Sequence, residues 1–198
     1  MGITRLLSLS GQFKRGRHYP LASHLSNQSL FRAFSTSAEQ DFNRFHNGVT
    51  LNPHPDKRHK GGEDAATVNE SFIALADGVG GWIESGVDPA KYSKQLCKNI
   101  HGLIMYDSAK YIVNPKQLCI DAAKMATEVG SSTCVIASLD RDTPVLYTSN
   151  LGDSGYLLLR KTDSELKTLY RSQEQTHGFN FPFQIGTSGD NPEKADSL

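Results

Sequence analysis

The residues best suited to chemistry lie between Gly61 and Trp82, in GGEDAATVNESFIALADGVGGW. An acidic pair, Glu63 and Asp64, precedes a predicted strand over 71–76, which runs directly into Asp77-Gly78-Val79-Gly80-Gly81. Carboxylates at the two ends of one strand, the second set in a glycine turn, suit a hard cation that takes oxygen ligands. Gly78 lacks a Cβ, so the backbone there can turn sharply and offer its carbonyl to the same ion. The same residues also suit a surface acidic pair and an ordinary Asp-Gly turn.

A third acidic turn, Gly152-Asp153-Ser154, stands at another predicted strand end. Grouping carboxylates is unfavourable unless a cation neutralises them, because like charges raise each other's pKa. Mg²⁺ or Mn²⁺ removes that penalty, and a pair of such ions can acidify a water and hold a phosphoryl group for in-line attack. No Ser-His or Cys-based nucleophile set and no P-loop lysine motif competes with metal-assisted hydrolysis.

The elements that must position these residues follow from pattern. Ala65–Val68 reads as a partner strand to 71–76. Asp88-Pro89 gives an N-cap and a first-turn proline, and Tyr92, Leu96, Ile100, Leu103 and Ile104 then recur at helical spacing to about Tyr106. Asn114-Pro115 opens a second helix, with Leu118, Cys119, Ala122, Met125 and Ala126 on one face, expected to end near Gly130. From Ser131 the period becomes strand-like: 132–139, 145–149, 156–160 and 166–171 read as strands, with 150–155 as a tight turn. Beyond Gln173 the chain reads as irregular. Helices packed on antiparallel strands mean an α+β class.

The chain has 198 residues, room for one domain with a core, and Lys+Arg equals Asp+Glu at 21 each, so no global charge points to nucleic acid or acidic lipid. The charges are unevenly spread. No acid precedes Glu39, whereas Arg5, Lys14, Arg15, Arg17 and Arg32 do, among several serines. Basic, hydroxylated and acid-free is the composition of an organelle transit peptide, and Arg32-Ala33-Phe34-Ser35 suits mitochondrial processing after Phe34. Residues 1–34 are therefore expected to be a mitochondrial transit peptide, with a matrix location and a plastid as the alternative. The apolar patch Leu6–Leu9 is too short for a membrane span. Residues 35–52 read as a linker and 53–198 as the domain. Cys97, Cys119 and Cys134 lack metal-ligand spacing and read as core residues; His54 and His59 read as loop.

Five motifs in register, GGEDA, ADGVGGW, GVDPAKYS, GSST and NLGDSGYLLLR, resemble the metal-dependent serine/threonine protein phosphatases of the 2C type, in the branch of mitochondria and plastids. RSQEQTHGFNFPFQI is also similar to that branch. The resemblance covers about Leu51 to Leu198. It implies a sandwich of two antiparallel sheets flanked by helices, present here in part, and hydrolysis of phosphoserine and phosphothreonine with two Mn²⁺ or Mg²⁺, and a third more weakly held. It implies that Asp77 bridges the two metals and Gly78 completes one of them. Glu63 and Asp64 would act through water, Asp153 would help hold the third metal, and Ser132 and Thr133 would be structural. An arginine that clamps substrate phosphate in many relatives has no direct counterpart, and Arg58 or Lys60 are the candidates for its role. Two further metal aspartates of the family are expected past Leu198. A polypeptide ending there is expected to be a truncated domain with little or no activity, or alternatively a non-catalytic fragment that binds the full enzyme's partners. The partners implied are phosphorylated proteins, with no nucleic acid and no membrane span, on a monomer.

Overall fold

The computed structural model describes residues 8–9 and 44–197. The transit-peptide and linker expectations fall largely outside these residues. Within them, Ser8–Leu9 is a two-residue strand (β1), and residues 44–52 form no regular element.

Two strands open the domain, β2 (Asp64–Val68) and β3 (Phe72–Asp77). Asn69 sets the turn between them: its Oδ1 accepts from the backbone N–H groups of Ser71 (2.7 Å) and Phe72 (2.9 Å), closing a side-chain-templated reversal. Three helices follow. Asp88 caps α1 (Pro89–Tyr106) by accepting from the Ala90 N–H, with Pro89 in the first turn as the sequence suggests. A short α2 (Ser108–Ile112), capped by Asp107, was not legible in the pattern. Asn114 caps α3 (Pro115–Lys124).

The second half is largely antiparallel strand: β4 (Ser131–Ser132), β5 (Cys134–Leu139), β6 (Leu146–Leu151), β7 (Leu157–Lys161), β8 (Leu166–Arg171), β9 (Thr176–Gly178), β10 (Phe181–Pro182), β11 (Ile185–Gly186) and β12 (Asp196–Ser197). The main sheet has the order β12-β6-β5-β3-β2 and is antiparallel throughout. β7 and β8 form a hairpin, joined by β1 parallel to β7.

Strand alternation divides the main sheet into two faces. Ala65, Phe72, Ala74, Ala76, Cys134, Ile136 and Leu151 lie against Tyr92, Leu96, Ile100 and Ile104 of α1 and Leu118 and Cys119 of α3, in one buried cluster. Each fully buried Leu or Ile there contributes about 1.5–3 kcal/mol, so α1 is held by its apolar stripe rather than by propensity. The opposite face carries Asp64, Asp77, Val135 and Asn150, and Tyr156, just before β7, reaches it by a 2.7 Å hydrogen bond to Thr148.

Three expectations need correction. The second helix stops at Lys124 rather than near Gly130, and Met125 is 54% exposed. Gln95 of α1 is the reason: its Oε1 accepts from the N–H groups of both Thr127 and Glu128 at 2.8 Å, drawing them off the helical path. Asn150 and Leu151 belong to β6 rather than to the following turn, paired with Val135 and Cys134. The stretch after Gln173 is not simply irregular, since it returns β11 to β4 and β12 to the edge of the main sheet, burying Ile185 and Ala195.

Candidate metal centre

Glu63-Asp64 and Asp77 do not sit at opposite ends of a strand. The β2–β3 reversal folds them to the same end of one ladder, where Asp64 pairs in register with Asp77. Opposed residues of an antiparallel pair project from the same face with Cβ atoms about 4.5–5.5 Å apart. Asp64 is 8% exposed and Asp77 half-buried, so this acidic pair is partly withdrawn from water.

The chain beyond Asp77 is fixed by backbone contacts that admit only glycine. The Gly78 N–H donates to the Glu63 carbonyl (3.1 Å), and Gly78 bridges to Ser132. A Cβ on Gly78 would lie 2.6 Å from the Glu63 oxygen and 2.7 Å from the Pro89 oxygen. Residue 78 is thus wedged between β2 and the first turn of α1. The Ser93 hydroxyl of α1 donates to the same Glu63 carbonyl at 2.6 Å, tying the acidic pair to the helix layer.

Thr133 connects this end to the third acidic turn. Its N–H donates to the Asp77 carbonyl (3.0 Å), its Oγ1 accepts from the Asp77 N–H (3.3 Å), and Oγ1 also bonds the Ser154 hydroxyl (2.7 Å). Gly152 adopts φ +103°, and a Cβ there would strike the Thr133 methyl at 2.6 Å. Asp153 follows, half-buried. Burial first, then the Asp77 and Glu174 carboxylates, push its carboxyl above the ordinary range, with a backbone N–H offsetting part of the rise. Asp153 therefore lies within electrostatic reach of Asp77, and a cation between them would relieve a repulsion the fold imposes.

The cation beside the acidic pair is Lys57, which sequence reasoning missed. Its Nζ pairs with Glu63 Oε2, and Glu63 is well shielded. Arg58 and Lys60 lie exposed on the same short 3₁₀ helix, Pro55–Lys60. The signal lay in geometry: after that helix the turn at Gly61-Gly62 reverses the chain, returning the lysine six positions upstream to Glu63. Trp82, the chain's single tryptophan, closes another side through a 2.6 Å bond from Nε1 to Ser131 Oγ.

The structure thus brings Glu63, Asp64, Asp77 and Gly78 together, with Asp153 nearby. The residues fit part of a coordination shell. Among the described residues, no three His, Cys, Asp or Glu side chains gather closely enough to hold an ion by themselves.

Fold and site define an α+β protein with paired carboxylates and a carbonyl-bearing glycine turn at one sheet end. No protein-family model matches the chain. Among curated proteins, "Probable protein phosphatase 2C 55" of Arabidopsis thaliana is 41% identical over 145 residues, covering 71% of this chain and 29% of that protein. "Probable protein phosphatase 2C 26" of the same plant is 37% identical over 145 residues, 72% of this chain and 46% of the relative. "Protein phosphatase PTC7 homolog fig" of Drosophila grimshawi is 41% identical over 136 residues, 63% of this chain and 42% of the relative. Of solved structures, the photosystem II phosphatase PBCP superposes with a TM-score of 0.69 at 32% identity, covering 76% of this chain and 59% of that one. The PPM Ser-Thr phosphatase MsPP from Mycobacterium smegmatis gives 0.50 at 14% identity, over 76% and 67%, and shows the fold alone.

The chain belongs to the 2C-type protein phosphatase family. It spans between about a third and a half of the length of these curated relatives.

Proposed function

We propose that this chain carries part of the catalytic face of a protein serine/threonine phosphatase that uses Mn²⁺ or Mg²⁺. The observation that carries the reading is the in-register pairing of Asp64 with Asp77 beside the wedged Gly78. Asp77 and the Gly78 carbonyl would hold metal directly, Glu63 and Asp64 through water, and Asp153 a further, weaker ion. Bound divalent ions would supply positive charge to the transferred phosphoryl group and acidify a water for attack. The chain's own residues prepare that site. Thr133 fixes the strand end and the 152–154 turn relative to each other, and Ser93 anchors the backbone of Glu63. Lys57 holds the Glu63 carboxylate, which leaves the exposed Arg58 and Lys60, unpaired among the described residues, as the candidates to meet substrate phosphate.

Low activity for this polypeptide by itself is part of the proposal, because among the described residues no three His, Cys, Asp or Glu side chains gather closely enough to hold an ion. The same observation favours a second reading, a non-catalytic fragment that binds the full-length phosphatase's partners. A mitochondrial matrix location remains part of the proposal, on the composition of residues 1–34.

The test is hydrolysis of p-nitrophenyl phosphate by the purified chain with added Mn²⁺, beside its Asp77→Asn variant. Little or no turnover is expected. Turnover abolished by Asp77→Asn would keep the site and overturn the inactivity; turnover that survives Asp77→Asn overturns the site.

A further inference from the structure

Overall neutrality conceals one strongly basic face. Helical spacing sets Lys91, Lys94, Lys98, His101 and Met105 along one outer stripe of α1, with Tyr106 beside its end, and all six are exposed. Met105 is 65% and Tyr106 89% exposed. The opposite stripe, Tyr92, Leu96, Ile100 and Ile104, is locked in the core, so the three lysines are held pointing away from the sheet, while His101 leans back onto Thr67 and Phe72. From Pro89 to Lys124 there are six lysines against two aspartates. Those two are engaged: Asp107 caps α2, and Asp121 accepts from Lys110, Tyr111 and Gln117.

A merely solvated helix face intersperses acids with bases at three- and four-residue spacing. Here Lys91 and Lys94 are three apart and Lys94 and Lys98 four, so the lysines face one another, and Asp88, three before Lys91, is taken up in capping the helix. Among the described residues no ion pair engages any of the three. The fold gains nothing from that repulsion, whereas an anionic surface would relieve it.

We propose that this face of α1 docks the protein on a bilayer containing anionic phospholipid. Two features favour a bilayer over a nucleic acid. The stripe's three exposed cations are all lysine, whose compact charge suits the diffuse potential of a membrane surface, while arginine forks dominate paired phosphate recognition. It also ends in an exposed methionine and tyrosine, and tyrosine is a side chain that settles at a membrane–water interface. At 18 residues α1 is about 27 Å long, enough to set all three lysines on the surface together. No helix among the described residues is long and apolar enough to cross a membrane, and this binding is peripheral and reversible. Asp64 and Asp77 project from the other face of the sheet, so docking leaves the acidic centre uncovered. The proposal is independent of the phosphatase reading.

Co-sedimentation of the full chain with phosphatidylcholine vesicles, with and without phosphatidylglycerol, tests it. Retention is expected only with phosphatidylglycerol and should fall steeply with salt. The triple variant Lys91→Glu, Lys94→Glu, Lys98→Glu should weaken binding by more than about a hundredfold, since neutralising each lysine near an anionic surface is worth about fivefold. Lys→Gln at the same positions, with helicity checked by circular dichroism, separates lost charge from lost folding. Replacing Arg5, Lys14, Arg15 and Arg17 with Gln should leave the sensitivity to the α1 lysines intact. Three outcomes overturn the proposal: no retention on anionic vesicles, retention unchanged in both triple variants, or binding to duplex DNA without binding to vesicles.

Discussion

Asp64 and Asp77 stand opposite each other in the β2–β3 ladder, one pair beyond Ala65 and Ala76. The alanines face the helices and the aspartates face away, so a single step in register separates the core from the acidic centre. Slippage by one residue would turn the carboxylates into the apolar layer beneath the helices and the alanines out to the acidic face. The burial of Ala65 and Ala76 therefore fixes the chemistry of the adjoining pair.

Gly78 is a position where this arrangement tolerates little change. Gly78→Ala drives a Cβ against the Glu63 and Pro89 oxygens at 2.6 and 2.7 Å, both backbone atoms that cannot swing aside. We expect a loss of about 2–3 kcal/mol in urea unfolding. Gly81→Ala meets nothing within 4 Å and should lie within about 0.5 kcal/mol of the parent. Equal effects at the two positions would refute the wedge.

Asp153 should make stability depend on pH in an identifiable direction. Its folded pKa is raised by burial, then by Asp77 and Glu174. For such a group the stabilisation is fully present below the unfolded value of about 3.9 and is lost as pH rises through the folded one. The ionised carboxylate thus opposes folding near neutrality when no cation is bound. Asp153→Asn should raise Tm at neutral pH in the presence of chelator, and the difference should close below about pH 3.9. A lower Tm for the variant near neutrality would contradict the repulsion.

The strands on either side of Asn69, the Asp88-Pro89 start of α1 and the Leu166–Arg171 strand were all legible, because caps, prolines and alternation are local signals. The grouping of acids was legible as residue types but not as geometry, since Asn69 folds two acidic stretches onto one end by a turn whose direction no periodicity encodes. Tertiary capping defeated the reading of α3: the N–H groups of Thr127 and Glu128 are taken by Gln95, a residue of another helix. Lys57 escaped notice for a related reason. Its partner is reached across a glycine turn, whereas Arg58 and Lys60 lay closer to the acids in sequence.

Lys57 should matter more to the fold than its basic neighbours. It pairs with Glu63, whose side chain is only 13% exposed, so removing the cation strands a partly desolvated carboxylate. Lys57→Ala is expected to cost about 1 kcal/mol by urea denaturation, against changes within about 0.5 kcal/mol for Arg58→Ala and Lys60→Ala. If all three behave alike, the Lys57–Glu63 contact carries no weight.

Thr133 is the joint between the two acidic turns, and its replacements separate hydrogen bonding from packing. Its hydroxyl meets both the Asp77 N–H and the Ser154 hydroxyl, while its methyl fills the space that Gly152 leaves open. Thr133→Val keeps the shape and removes the hydroxyl, leaving two groups at a buried junction without their partner, at a cost of about 1–3 kcal/mol. Thr133→Ser keeps the hydroxyl and loses one methyl, which in a packed site costs about 0.5–1.5 kcal/mol. The two should also differ in how they move the Asp153 turn. Only the valine variant frees Ser154, so the amide resonances of residues 152–154 should shift strongly in Thr133→Val and weakly in Thr133→Ser. The opposite order would mean that the methyl, rather than the hydroxyl, holds Asp153 near Asp77.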